Sequence, residues 1–425
     1  MAYASELIDF IKRSPTAYHT VHTVKEMLLS AGFTECSEKE TSSFSDGGKH
    51  FVIRNGTSII AFKGKCDGGF MICASHSDTP AFKLKSELSG AYAKVAVERY
   101  GGSILYSWLD RPLSVAGRVV VRTDDGVESR LVDLDRDLLT IPSVAIHFNR
   151  TVNEGYKFNP AVDMLPLAGT SESFGKLTEL IAECAGVRKD DVISEDVFVY
   201  NRDGGKIIGV NNELILAPRL DDLGCVYSSV RAFLDAEDKG NAVPVLAIFD
   251  NEEVGSETKQ GAASTFLDMT LSAVAGSDDK YRAALVDSFM LSADNAHAVH
   301  PNHPELSDSA CAPKLGGGVV VKYNANQKYT TDSVSDAVFR TLAERAEAKV
   351  QSYANRADMP GGSTLGSIAN TCVSVKTVDI GLPQLAMHSA TETAAVADVD
   401  GMIAILKEFY SSGILCEGEK IKIKN

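Results

Sequence analysis

The sequence predicts an α/β fold in which a β-rich segment interrupts a central sheet flanked by helices. Apolar runs of strand length recur at 69–74 (GFMICA), 243–249 (VPVLAIF), 283–291 and 373–380. Continuous runs of that length suit strands buried on both faces. Amphipathic helical stretches alternate with them. Between about 99 and 211 the texture changes to short strand-like runs punctuated by turn residues.

Taken in order, helical patterning covers 4–14 and 21–31, and the run at 69–74 ends in SHSDTP. In the β-rich region, 119–122 and 127–132 flank Asp124-Asp125-Gly126, a hairpin signal. One helix is expected near 173–185. After about 219, residues 223–235 read as a helix and 243–249 as a buried strand. Residues 333–348 and 396–413 read as amphipathic helices. In the last, Val396, Val399, Ile403, Leu406 and Tyr410 fall on one stripe. The chain therefore divides into an α/β domain made of 1–90 and 216–425 and an inserted β-rich domain at 91–215.

A length of 425 residues exceeds one ordinary core, which agrees with that division. The formal net charge of −15 argues against nucleic acid as a partner. The start, MAYASELIDFIKR, has no basic segment followed by an apolar one, so no signal peptide is expected. No apolar run is long enough to span a bilayer, so no membrane partner is expected. The eight cysteines are scattered without a CxxC pair and read as reduced and mostly structural, and a cytoplasmic location follows. No Gly-x-Ser-x-Gly elbow, phosphate loop or Cys–His nucleophile is evident.

Five segments place a His or carboxylate at the end of an apolar run or at a helix start, where α/β proteins build sites. In Ser75-His76-Ser77-Asp78, His76 can ligate a metal and Asp78 can fix its tautomer. In Arg219-Leu220-Asp221-Asp222-Leu223, an Asp can cap the helix or bridge two cations. In Asp250-Asn251-Glu252-Glu253, adjacent carboxylates are costly to pack unless cations neutralise them, and one can serve as general base. Asp294-Asn295-Ala296-His297 follows a further apolar run, and His388 follows the last. The set offers two His and three carboxylates for two metals, plus a spare Glu. It suits zinc best, with manganese or cobalt as alternatives. His19 and His22 read as packing or surface residues. Among His297, His300 and His303, one can face substrate.

Together these segments resemble the aspartyl aminopeptidase (M18) family of metallopeptidases, from Ser14-Pro15-Thr16-Ala17-Tyr18-His19 through YGGSILYSWLDRPL, IPSVAIHFNR, FDNEEVGS, SADNAHAVHPN and VKYNANQKY to GLPQLAMHS. The resemblance implies a metallopeptidase α/β domain with a central mixed β-sheet flanked by helices, and an inserted β-rich dimerisation domain. It implies two divalent metal ions per subunit, held by His76, Asp221, Glu253, Asp294 and His388 with Asp221 bridging. Glu252 would be the general base and Asp78 the residue that orients His76. His147 would reach a neighbouring subunit's site, and Lys322 would read an acidic first residue. The implied activity is two-metal hydrolysis of the N-terminal residue of peptides with a free N-terminus, preferring Asp or Glu. The implied assembly is a homo-oligomer of dimers forming a dodecamer. Alternatives are a preference for neutral residues such as Leu, or a catalytically silent self-assembling homologue. Met359-Pro360-Gly361-Gly362-Ser363 departs from a commoner Pro-Cys-Gly form, which bears on the pocket wall.

Overall fold

The structure is a computed structural model that describes residues 2–424 apart from 238, 240 and 241. Its core is a mixed nine-stranded sheet. The strands run Thr34–Cys36, Lys49–Arg54, Ser58–Lys63, Val243–Phe249, Phe70–His76, Phe289–Ala293, Lys376–Gly381, Val319–Tyr323 and Val350–Ala354 across the sheet. The four strands from Val243–Phe249 to Lys376–Gly381 are mutually parallel. Their carboxyl ends therefore share one edge, where α/β sheets bind ligands.

Why these runs are continuously apolar is plain from the two cores. Met71 and Cys73 face one core, and Phe70, Ile72 and Ala74 the other. Leu246 and Ile248 alternate with Val245, Ala247 and Phe249 in the same way. The helices Ala2–Arg13, Leu220–Asp235, Ser333–Arg345 and Val396–Ser411 bury their apolar stripes in the first core. Helix Phe266–Ala275 lies in the second.

A six-stranded antiparallel sheet is drawn wholly from Ala81–Leu88, Tyr92–Tyr100, Leu113–Thr123, Gly126–Asp133, Leu167–Thr170 and Val192–Asn201. It has its own core around Phe82, Trp108, Val119 and Val197. The expected hairpin is present: Thr123 pairs with Gly126 across Asp124-Asp125. The helix expected near 173–185 is Lys176–Cys184. A third sheet of five short strands includes Pro383–Leu385 and Glu392–Ala395, which bracket His388.

One element differs from its expectation. The run 283–291 was expected as a strand, yet its first half belongs to helix Asp278–Val286, and the strand is Phe289–Ala293. Ser277 caps that helix by accepting from the Lys280 amide, and a short apolar run cannot by itself separate helix from strand.

Candidate metal centre

Strand register assembles the centre. Phe249 pairs with His76, so the turn after one strand abuts the end of the next. Asn251 and Gly255 both take positive φ, 63° and 103°, and between them one turn of 3-10 helix holds Glu252 and Glu253. The buried Asp78 carboxylate fastens this turn. It accepts from the Glu252 amide at 3.1 Å, the Glu253 amide at 3.2 Å and the Tyr100 hydroxyl at 2.6 Å. His76 Nδ1 donates to the Asp78 carbonyl at 3.0 Å, with the carboxylate 3.4 Å away. That bond fixes the tautomer and leaves the Nε2 lone pair facing Asp221.

Asp221 sits between two imidazoles. Its Oδ1 is 3.7 Å from His76 Nε2, and its Oδ2 is 3.3 Å from His388 Nε2. His388 Nε2 is also 3.4 Å from Glu253 Oε1. Two groups of donor atoms result, each gathered within 4.8 Å: His76, Asp221, Asp222 and Asp294, and Asp221, Glu253 and His388. Asp221 is common to both. Each group could hold a metal ion, and Glu252 forms a further group with His76 and Glu253.

The donor set tests well for cations. Asp221 Oδ1, Asp222 Oδ1 and Glu253 Oε1 are buried with no hydrogen-bond partner, an arrangement that a folded protein rarely leaves uncompensated. Oxygen and imidazole donors of this kind suit zinc and similar divalent ions. Burial, reinforced by Asp221, holds the Glu253 carboxyl well above its usual range. Burial likewise pushes Glu252 up to about 8, with Asp294 and Asp78 adding to it against His76. Burial opposes charge on His388, but Asp221 and Glu253 outweigh it and raise the ring to about 10. Such crowding of like charge is what bound cations relieve.

Several residues of the centre escaped sequence reading. Glu392, buried, accepts from the Asp221 amide at 3.0 Å and the His388 amide at 2.7 Å. Its signal is a Glu between two threonines, ahead of an Ala-Ala-Val run, four positions after His388. Asp222, whose Oδ2 accepts from the His76 amide at 3.2 Å, offers an oxygen to the first group. Gly101 and Gly102 press against the other side. A Cβ at Gly101, which has φ +68°, would lie 3.2 Å from Glu253 Cβ, and one at Gly102 would lie 3.2 Å from His388 Nδ1.

A cavity of about 200 Å³ opens beside the cluster, lined in part by Lys322, His297, Tyr329, Tyr353, Ser363 and Met387. Lys322 is buried, its ammonium 3.6 Å from Asp294 Oδ1 and donating to the Asn295 carbonyl at 3.1 Å. All three nearby histidines are exposed, and of them His297 lines this cavity. His19 is packed against Thr16, with 2.9 Å between its Nδ1 and the hydroxyl. His147 lies exposed on a loop of the six-stranded-sheet region and is outside the two groups.

Comparison with known proteins agrees with this geometry. The family model described as aminopeptidase I zinc metalloprotease (M18) matches residues 10–410. Proteins named probable M18 family aminopeptidase 2 are similar along the whole chain. The one from Clostridium novyi (strain NT) is 41% identical over 427 residues, covering 96% of this chain and 98% of its own. The one from Clostridium acetobutylicum is 42% identical over 429 residues, covering 97% and 99%. Among solved structures, Chaetomium thermophilum mApe1 superposes with a TM-score of 0.86 at 28% identity, covering 96% of this chain and 97% of its own. The S. cerevesiae mApe1 dodecamer gives 0.84 at 29%, covering 96% of each. With the family model spanning nearly every element and the donor cluster at the expected sheet edge, this chain belongs to the M18 family of metallo-aminopeptidases.

Proposed function

We propose that this chain removes the N-terminal residue of peptides at a site holding two divalent cations, zinc in first place and manganese or cobalt as substitutes. The observation that carries this reading is Asp221, whose two oxygens face His76 and His388 on opposite sides. His76 and Asp294 would complete one cation's set, and Glu253 and His388 the other's. Such a pair supplies water that is acidic at neutral pH and positive charge for the developing oxyanion.

The chain's own residues do the rest. Glu252, on the same turn as Glu253 but free of any hydrogen bond to its carboxylate among the described residues, takes the proton from the attacking water and returns it to the leaving amine. Asp78 holds both the Glu252–Glu253 turn and His76, so the base and a ligand move as one body. Lys322 recognises an acidic first side chain from the cavity wall. Burial opposes its charge, but Asp294 keeps it protonated. His147, exposed in one subunit, completes the neighbouring subunit's site in a dodecamer of dimers. The enzyme works in the cytoplasm. No helix among the described residues is long and apolar enough to cross a membrane.

The test is a panel of Asp, Glu, Leu and N-acetyl-Asp chromogenic substrates, with and without chelator. Chelator-sensitive cleavage of free Asp and Glu, blocked by acetylation, is expected. Leu ahead of Asp, or a Lys322→Ala variant that slows both equally, would remove the acidic preference. No chelator-sensitive cleavage would remove the function.

A further inference from the structure

Fourteen positions apart in sequence, Cys36 and His50 meet at the edge of the nine-stranded sheet, so the absence of a visible Cys–His pair in the sequence does not hold in space. Parallel pairing of Thr34–Cys36 with Lys49–Arg54 sets Thr34 opposite His50 and Cys36 opposite Val52, which puts both side chains on one face. Cys36 Sγ lies 3.4 Å from His50 Nδ1, and His50 Nε2 lies 2.8 Å from Asp46 Oδ1.

The roles in this row are fixed by chemistry. Asp46 accepts hydrogen bonds from His50 and from the Gly48 amide, and these, His50 first, hold its carboxyl below the usual range. A carboxylate can only accept, so His50 Nε2 carries a proton, and in the neutral ring Nδ1 presents its lone pair to the thiol, which also lies 3.6 Å from Ser43 Oγ and 3.8 Å from the Thr34 carbonyl. The ring is held by burial and by Phe62, 5.9 Å away between centroids. Nucleophile, base and orienting acid thus stand in hydrogen-bonded sequence. Cys36 is also partly open to solvent. Among the described residues, no other cysteine has an imidazole in hydrogen-bond contact. Cys73 and Cys225 are buried, and burial pushes the Cys66 thiol up to about 11.

We infer that Cys36 is a modification site that exchanges with low-mass disulfides, with His50 as its base and Asp46 as the positioning acid. The thiol proton passes to His50 Nδ1 as the sulfur attacks one sulfur of the small disulfide. The Cys36 S–S bond forms, the small disulfide's S–S bond breaks, and the released thiolate takes up the proton. The site lies four strands from Phe70–His76, about 19 Å at about 4.8 Å per strand, so it is separate from the metal centre.

The test incubates the metal-loaded full chain with oxidised glutathione and follows mixed-disulfide formation at each cysteine by peptide mass spectrometry. Cys36 should react ~10-fold or more faster than the exposed Cys184, and His50→Gln should bring its rate down to that of Cys184 without changing Cys184. Retained aminopeptidase activity in the variant would show that the fold is intact. Should His50→Gln fail to fold, Asp46→Asn, on an exposed residue, must slow Cys36 in the same way. A Cys36 rate no greater than that of Cys184, or one unchanged in the folded variants, overturns the inference.

Discussion

Glu392 provides the sharpest perturbation of the metal centre that replaces no proposed ligand. Its two oxygens accept from the amides of Asp221 and His388, at 3.0 and 2.7 Å. It is almost wholly buried, at 2% exposure, so water cannot replace a lost acceptor. In Glu392→Gln, one oxygen becomes an NH₂ that meets an N–H head-on. One buried amide then goes unsatisfied, at a cost of about 1–3 kcal/mol. The backbone that loses its anchor carries either the shared Asp221 or His388. If the site shifts rather than the fold, that energy appears as metal affinity weakened about 10–100-fold, the range seen when residues that orient ligands are changed. Competition with a calibrated chelator measures this directly, and a melting curve of the chelated protein separates affinity from stability. Wild-type metal affinity in a folded Glu392→Gln protein would refute the reasoning.

Three further outcomes follow from the same geometry. Glu252→Gln should keep its full metal content by elemental analysis while kcat falls ~10²–10⁴-fold; near-normal turnover would strip Glu252 of the base role. Gly101→Ala forces a side chain into φ +68° and to 3.2 Å from Glu253 Cβ, so kcat/KM should drop while an Ala at the open, surface Gly204 leaves it unchanged. Burial, with neighbouring carboxylates adding to it, holds Glu253 above the usual carboxylate range and Glu252 up to about 8, so after chelation Glu252 carries a proton at pH 7. Metal binding must displace such a proton. Calorimetry in buffers of different ionisation enthalpy should show proton release, with apparent affinity rising as pH increases towards about 8; uptake, or no exchange, would contradict the charge balance described here.

The parts of this fold legible in the sequence are those where one local pattern decides the structure. VPVLAIF is apolar throughout because both faces of its strand are covered, and its length sets it apart from a helix. The run at 283–291 misled because Ala283 to Val286 are apolar on a helix capped from outside the run, at Ser277. Of the residues gathered in the cluster, His76, Asp221, Glu252, Glu253, Asp294 and His388 were legible because each follows a buried strand or starts a helix. Glu392, Asp222 and Tyr100 were not, since Glu392 binds Asp221 171 positions away, Asp222 binds the His76 amide 146 away and Tyr100 binds Asp78 22 away. The Cys36–His50 contact was hidden for the same reason: a parallel strand register, invisible to motif reading, creates it.

The claim on which the rest depends is that Asp221 serves two cations at once. The most direct measurement is metal content per chain by elemental analysis, comparing the wild type with Asp221→Asn after both are loaded and desalted. Two equivalents in the wild type, falling below one in a folded Asp221→Asn protein, is the predicted result. A single equivalent in the wild type, or two retained by the variant, would contradict it.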